Sequence, residues 1–387
     1  MEYQNSNGLN LSKIGVGCYS LSGVYGKKDI NQFKEMINRA YKAGISFFDT
    51  AAAYGDAEKI LGEIIKPYRD RVILSTKVGV EDGAKPVLSS DYIKKSCEDS
   101  LKRLNTDYID VYNVHFNDPE TAVEETVAAF EDLVREGKIR KYGLGHLPME
   151  KVTEYIEKGN IFSILMELSA VSRKSAKVLL PFCRKHKING IAFSVTGRGL
   201  LTGKYDKNTR FEKGDIRNLD PQFQREKLDY SLKIMIKLRE LGKGMGKTPV
   251  QVAIGWVLAR EGISTALIGP STVEHLEENL GGTGWVFPAE ELNQLDDFIA
   301  EQEKILKRNE CDTIESIMDN ELSGDREKDF VDLVYCIETA ITNDFVKEEE
   351  ILPVFYKLFG MKNKLEEIDA SELTYIQKEI KGIINLG

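Results

Sequence analysis

The sequence lacks a C-x-x-C pair. Its five cysteines, Cys18, Cys97, Cys183, Cys311 and Cys336, are scattered over 387 residues, so neither a zinc site nor a disulfide framework is expected. It lacks an excess of basic charge. The formal net charge is −9, which argues against nucleic acid as the main partner. It lacks any apolar run of the ~18 residues that a membrane span needs. Its N-terminus, MEYQNSNGLNLSKIG, has no charged segment leading into an apolar one, so no secretory signal is read there. No membrane association and a cytoplasmic location follow as expectations. Finally, no G-x-G-x-x-G follows the first strand-like run, which counts against an open dinucleotide-binding sheet.

What is present is an alternation. Hydrophobic residues make up 42% and charged residues 30% of the chain, the balance of a globular protein. Strand-like apolar runs fall at 13–17, 45–48, 72–76, 109–114, 141–145, 163–169, 190–194 and 265–268. Amphipathic helical patterns separate them, at 31–43, 57–65, 91–104, 121–136, 149–158, 175–187, 229–241 with 250–260, and 273–280. Eight strand–helix units in a row predict an α/β fold, a closed (β/α)8 TIM barrel. The barrel is expected over residues 1–306. Residues 307–387 are expected to form a small all-helical C-terminal domain, with Phe330, Leu333, Val334, Ile337 and Ile341 at helical spacing. A last helix is expected at 371–384 with Ser371 as N-cap. This extension is a candidate for partner binding or self-association.

The stretch ISFFDTAAAYGDAEKILG presents Asp49 at the end of a strand and Tyr54 on the loop after it. VILSTKVG ends on Lys77 and IDVYNVHF on His115. Barrel enzymes keep catalytic groups at strand C-terminal ends. A phenol with a pKa near ~10 is a weak acid at neutrality, and an adjacent ammonium favours its ionised form. Lys77 would act so on Tyr54, Asp49 would hold the ammonium, and His115 would orient a carbonyl or share the proton relay.

In that order and spacing, Asp49, Tyr54, Lys77 and His115 resemble the catalytic tetrad of the aldo-keto reductase superfamily, over roughly the first 300 residues. The resemblance implies NADP(H) or NAD(H) as cofactor and a small-molecule carbonyl or alcohol as substrate. It aligns Ser194 and the segment GRGLLTGKY, with Gly197, Gly199 and Leu200, with the pyrophosphate-binding pattern. The 200–224 connection would then fold over the cofactor. In IGPSTVEHLEENL, Gly269, Ser271, Glu278 and Asn279 align with the adenosine-phosphate segment, and Gly269 and His275 fall where basic residues are common. The nicotinamide positions depart from the pattern. Gly145 and His146 stand where a Ser-Asn pair is expected, Leu165 where a Gln is, and Leu168 where a stacking Tyr is. Leu168 would cover the ring as an apolar wall, and His146 would donate one hydrogen bond. Tyr19, Val24, Tyr25, His115 and Phe116 are the expected substrate walls.

Three functions are compatible with these residues. The first is an NAD(P)H-dependent oxidoreductase interconverting a carbonyl and an alcohol, with Tyr54 as general acid/base. The second is a non-redox lyase or isomerase using the same acid–base groups, and the altered nicotinamide positions keep it open. The third is a binding or regulatory scaffold, which would have no need of Tyr54 beside Lys77.

Overall fold

The computed structural model describes residues 1–26, 28–80 and 85–384. The chain opens with an antiparallel hairpin, β1 (Tyr3–Ser6) and β2 (Leu9–Ser12). Asn7 and Gly8, both at positive φ (46° and 85°), make its turn; two left-handed residues match the twist of the strands they join. Eight parallel strands follow: β3 (Ile14–Gly17), β4 (Phe47–Asp49), β5 (Ile73–Val78), β6 (Ile109–Phe116), β7 (Ile139–His146), β8 (Ile161–Glu167), β9 (Asn189–Phe193) and β10 (Ile263–Ile268). They pair in sequence order and close where β10 meets β3. The predicted barrel is therefore the fold.

Helices α1 (Ile30–Lys42), α2 (Ala57–Ile65), α3 (Ser90–Leu104), α4 (Val123–Arg135), α5 (Met149–Lys158) and α6 (Lys174–His186) each return the chain to the next strand. After β9 come α7 (Arg225–Met245) and α8 (Pro249–Leu258), and after β10 comes α9 (Val273–Leu280). Local chemistry starts several of them. Asp29 accepts hydrogen bonds from the backbone N–H of Asn31 and Gln32 at the head of α1. At the head of α8, Gln251 Oε1 accepts from the Thr248 backbone N–H at 3.2 Å, with Pro249 at the first helical position.

The strands sort their side chains into layers, because residues two apart share a face. Phe47, Ile73, Val111, Phe162, Leu165, Ile191 and Leu267 form an apolar floor with Leu9 and Leu11 of the hairpin. Two residues further along their strands stand Asp49, Ser75 and Asn113, and one more step brings Lys77 and His115. All five are buried. A dry floor beneath a polar layer thus follows from the alternation within β4, β5 and β6.

By internal contacts the chain divides into two compact units. The first, residues 1–204 and 235–292, holds the hairpin and the barrel. The second comprises 205–234 and 293–387. It includes α11 (Arg326–Thr342), α12 (Glu348–Phe359) and α13 (Ala370–Ile383), preceded by α10 (Ala289–Asp319). Its core gathers Ile314, Phe330, Leu333, Ile337, Ile351, Leu358, Ile376 and Ile380. Residues 205–234 belong to this unit through specific bonds. Arg225 pairs with Asp332 at 2.6 Å. Glu226 accepts from Thr313 Oγ1 (2.7 Å) and from the Tyr335 hydroxyl (3.0 Å). Leu219 packs on the core. Within the same stretch Arg217 lies over the Phe211 ring at 4.2 Å and pairs with Asp215 at 2.5 Å.

Several boundaries differ from the sequence expectation. The hairpin was not anticipated. The sixth barrel strand ends at Glu167 rather than 169, because Ser169 turns back to bridge Ser172. Helix α7 begins at Arg225 rather than 229. The last helix is capped by Asp369, whose carboxylate accepts from Ser371 N, so Ser371 lies inside the helix. The 200–224 connection carries short 3-10 turns at Gly197–Thr202, Ile216–Asn218 and Pro221–Phe223.

Candidate active site

Strand β4 ends on Asp49, and its partner β5 carries Ser75 level with it and Lys77 one step beyond. Lys77 Nζ lies 2.5 Å from Asp49 Oδ2 and donates to the Thr50 carbonyl at 2.7 Å. Asp49 Oδ1 accepts from the Ser75 hydroxyl at 2.8 Å. Asp49 and Lys77 are 4% and 5% exposed, so the pair sits where water screens it little. Lys77 Nζ also stands 5.1 Å from the centre of the Tyr54 ring. Burial alone would lower the Lys77 pKa; chiefly the charge of Asp49 outweighs it and holds the ammonium above its ordinary value.

Tyr54 is half-buried at the barrel mouth. Its pKa lies above that of a free phenol. Burial pushes it up, the charge of Lys77 pulls it down, and Asp49 pushes it up again. The expected pull of Lys77 is present, but the net shift is opposite to the one anticipated, and the phenol stays protonated. His115 meets Tyr54 edge to face at 5.9 Å between ring centres. Burial, then the Lys77 charge, then His146 hold its pKa well below the usual imidazole value, so the ring is neutral. The four tetrad residues are thus brought together at one rim.

Aromatic rings continue around that rim. Tyr19 lies 4.8 Å from Tyr54 and 5.9 Å from Tyr25. On the other side Phe116 stacks on His146 at 4.8 Å, and His146 meets Phe193 at 5.2 Å. His146 is exposed to solvent in the mouth. The surrounding protein, Lys77 and Arg198 keep its pKa below the ordinary value. Val24 is half-buried in the loop after β3.

A family model described as the aldo/keto reductase family matches residues 13–300. The chain belongs to that family. Aldo-keto reductase YhdN of Bacillus subtilis is 34% identical over 302 residues, covering 75% of this chain and 91% of its own. The NADP(+) aldo-keto reductase yakc of Schizosaccharomyces pombe is 30% identical, covering 69% and 82%. Among solved structures, the glycerol dehydrogenase AKR11B4 of Gluconobacter oxydans superposes with a TM-score of 0.71 at 29% identity, covering 78% of this chain and 95% of that one. The protein is an oxidoreductase of the aldo-keto reductase type, working with NADP(H) or NAD(H). Of the three readings the sequence allowed, membership supports the first.

The aldo-keto reductase fit is uneven along the groove. At the pyrophosphate end Ser194, Gly197, Arg198 and Gly199 all have positive φ, between 54° and 97°. Gly197 and Gly199 turn their N–H groups back onto the Ser194 and Thr196 carbonyls, so these residues form a tight turn closed on itself. Leu200 is buried, so only its backbone is available. At the adenosine end Gly269 and Ser271 are exposed, Glu278 is half-buried and Asn279 buried. Thr272 caps α9 by accepting from His275 N. Residues 268–280 carry no Lys or Arg, but Lys204 Nζ contacts His275 Nε2 and so brings a cation beside this segment. Nothing in the local pattern of 268–280 signalled it.

The positions that the resemblance aligns with the nicotinamide offer little to a carboxamide. Leu165 belongs to the apolar floor. Leu168 is 1% exposed, with its N–H held by the Phe193 carbonyl, which leaves little of it to face a ring. Gly145 sits so close to β6 that a Cβ would fall 2.6 Å from the Val114 oxygen. Of the four departing positions, only His146 presents a polar side chain.

Proposed function

We propose that Tyr54 is the proton donor in carbonyl reduction and the acceptor in alcohol oxidation, with Asp49, Lys77 and His115 completing the site. The observation that carries this is the buried Lys77–Asp49 pair, 2.5 Å apart, set beside the Tyr54 ring. Bound reduced nicotinamide supplies the hydride. As hydride reaches the carbonyl carbon, its oxygen becomes an alkoxide, a far stronger base than a phenolate. Proton transfer from Tyr54 is therefore downhill even with its pKa raised. The ammonium of Lys77 stabilises the phenolate left behind, and neutral His115 orients the oxygen before transfer.

The substrate is proposed to be a small hydroxylated carbonyl, of sugar or polyol type. Tyr19, Tyr25, Phe116 and His146 offer ring faces for its C–H surfaces and polar edges for its hydroxyls. The similarity to a glycerol dehydrogenase supports the same class. NADPH is the proposed preference: Lys204 beside His275, with Ser271 and the head of α9, suits a phosphate on the ribose.

The test is direct. NADPH should quench the protein's fluorescence at micromolar concentration in both wild type and Tyr54→Phe. Turnover of a polyol and aldose panel should fall at least about 100-fold in the variant, the scale of lost general acid catalysis. A Tyr54→Phe enzyme that reduces these carbonyls at the wild-type rate would overturn the assignment.

A further inference from the structure

We infer that Asn113 and Ser75 are positioning residues for the reaction, setting the direction of every hydrogen bond beneath the catalytic lysine. The inference rests on Tyr54 being the proton carrier.

The chain of bonds starts on β6. Asn113 is fully buried, and its amide nitrogen donates to Ser75 Oγ at 3.0 Å and to the Thr76 carbonyl at 3.2 Å. An amide N–H2 has two protons and both are used. Ser75 therefore receives a proton at its oxygen, and its own hydrogen goes to Asp49 Oδ1 at 2.8 Å. Asp49 is an acceptor from Ser75 and keeps Oδ2 for Lys77. Lys77 has three N–H bonds. One goes to Asp49 and one to the Thr50 carbonyl. The third is left on the side of Tyr54, whose ring centre stands 5.1 Å from Nζ. No link can be reversed, because the first donor is an amide and the last a full ammonium.

Room for the first link is built in. A Cβ on residue 143 would lie 2.3 Å from Asn113 Oδ1 and 2.5 Å from Ser163 Oγ. Gly143 is what lets β7 pass the Asn113 side chain. A buried asparagine just above the apolar floor has a desolvation cost, and orientation of the carboxylate offsets it. The Ser75 hydroxyl fixes Asp49 Oδ1 and so keeps Oδ2 turned to Lys77. The carboxylate so aimed raises the Lys77 pKa, and the ammonium draws the phenol toward ionisation. The titratable groups around that phenol are Lys77 on β5, Asp49 on β4, His115 on β6 and the Cys18 thiol after β3.

The consequence appears in alcohol oxidation, where Tyr54 must first lose its proton and the rate rises with pH. Loss of the Ser75 hydroxyl weakens the pull on the phenol, so the rising limb moves to higher pH. The experiment measures polyol oxidation against pH for wild type, Ser75→Ala, Asn113→Ala and the double variant, each in the full chain. For Ser75→Ala we expect kcat down about tenfold and the limb displaced upward by about one unit. Cofactor KM should stay within about twofold. Asn113→Ala should shift the same limb less. The double variant should match Ser75→Ala alone, since Asn113 acts through Ser75. A merely structural role would lower folded yield without moving the limb. An unmoved limb in folded Ser75→Ala overturns the inference, as does a double variant whose shifts add. If Ser75→Ala does not fold, an unmoved limb in Asn113→Ala overturns it alone. Tyr54→Phe run alongside separates the causes: if it is inactive, an unmoved limb condemns only the Ser75–Asn113 role, and if it is active, the Tyr54 assignment itself has failed.

Discussion

Replacing Asp49 by Asn tests the buried pair at its root. Asn keeps the volume and an oxygen for the Ser75 hydroxyl, but removes the charge facing Lys77. Both partners are about one-twentieth exposed, so water cannot replace the lost carboxylate. Removing one member of such a pair costs about 3–5 kcal/mol, most of it the penalty of the charge left behind. The sign of the pH dependence follows. In the wild type, Lys77 has a folded pKa above its unfolded value. It therefore contributes stability that is full below the unfolded pKa, near ~10.4, and lost as pH rises through the folded one. In Asp49→Asn the same lysine is buried without its partner, so its folded pKa drops below ~10.4. The unfolded chain then binds more protons, and the variant gains stability as pH rises. The deficit should be about 3–5 kcal/mol at pH 7 and shrink by pH 10. Both tryptophans, Trp256 and Trp285, lie in the barrel unit, so urea unfolding followed by their fluorescence reads that unit. A deficit under about 1 kcal/mol at pH 7, or one unchanged at pH 10, would refute the reasoning.

Lys204→Met should raise the KM for NADPH about tenfold, or ~1.4 kcal/mol, and leave that for NADH within about twofold; equal changes for both cofactors would remove Lys204 from phosphate recognition. Tyr335→Phe takes a hydroxyl from Glu226, which it meets at 3.0 Å in the second unit. Leaving that carboxylate short of a donor should cost about 1–3 kcal/mol and speed proteolytic cleavage within 205–234; a cleavage rate equal to wild type would show that Thr313 suffices to hold the segment.

The barrel was legible because its strands and helices have separate periods and recur eight times. That Asp49, Lys77 and His115 would emerge together was legible because strand ends fix where a side chain points. The hairpin's signal is short: Asn7-Gly8 is a two-residue turn sequence, but the flanking Gln4, Asn5, Ser6 and Asn10 hide the strands' apolar alternation. The tail helices showed in their spacing, whereas what they hold did not. Glu226 meets Thr313 and Tyr335 across more than 80 residues of chain, and no local pattern encodes such a pairing. Lys204 reaching His275 is the same kind of contact.

The sign of the Tyr54 shift is a different case, because it is a sum of opposed effects. Sequence names the contributors, Lys77 and Asp49, but not how deeply the ring is enclosed, and here burial is the largest cause. A raised phenol pKa changes what the lysine is for. In the resting site the phenol keeps its proton whether or not Lys77 is near. In the proposed reaction the ammonium matters once that proton has moved, when a phenolate would stand in the barrel mouth beside Asp49, a second negative charge. Without Lys77 between them the two anions would repel in a medium that screens poorly. The Asp49–Lys77 pair is thus best understood as a counter-charge held ready for the product state, and the hydrogen bonds from Asn113 through Ser75 keep it aimed there before the phenol ionises.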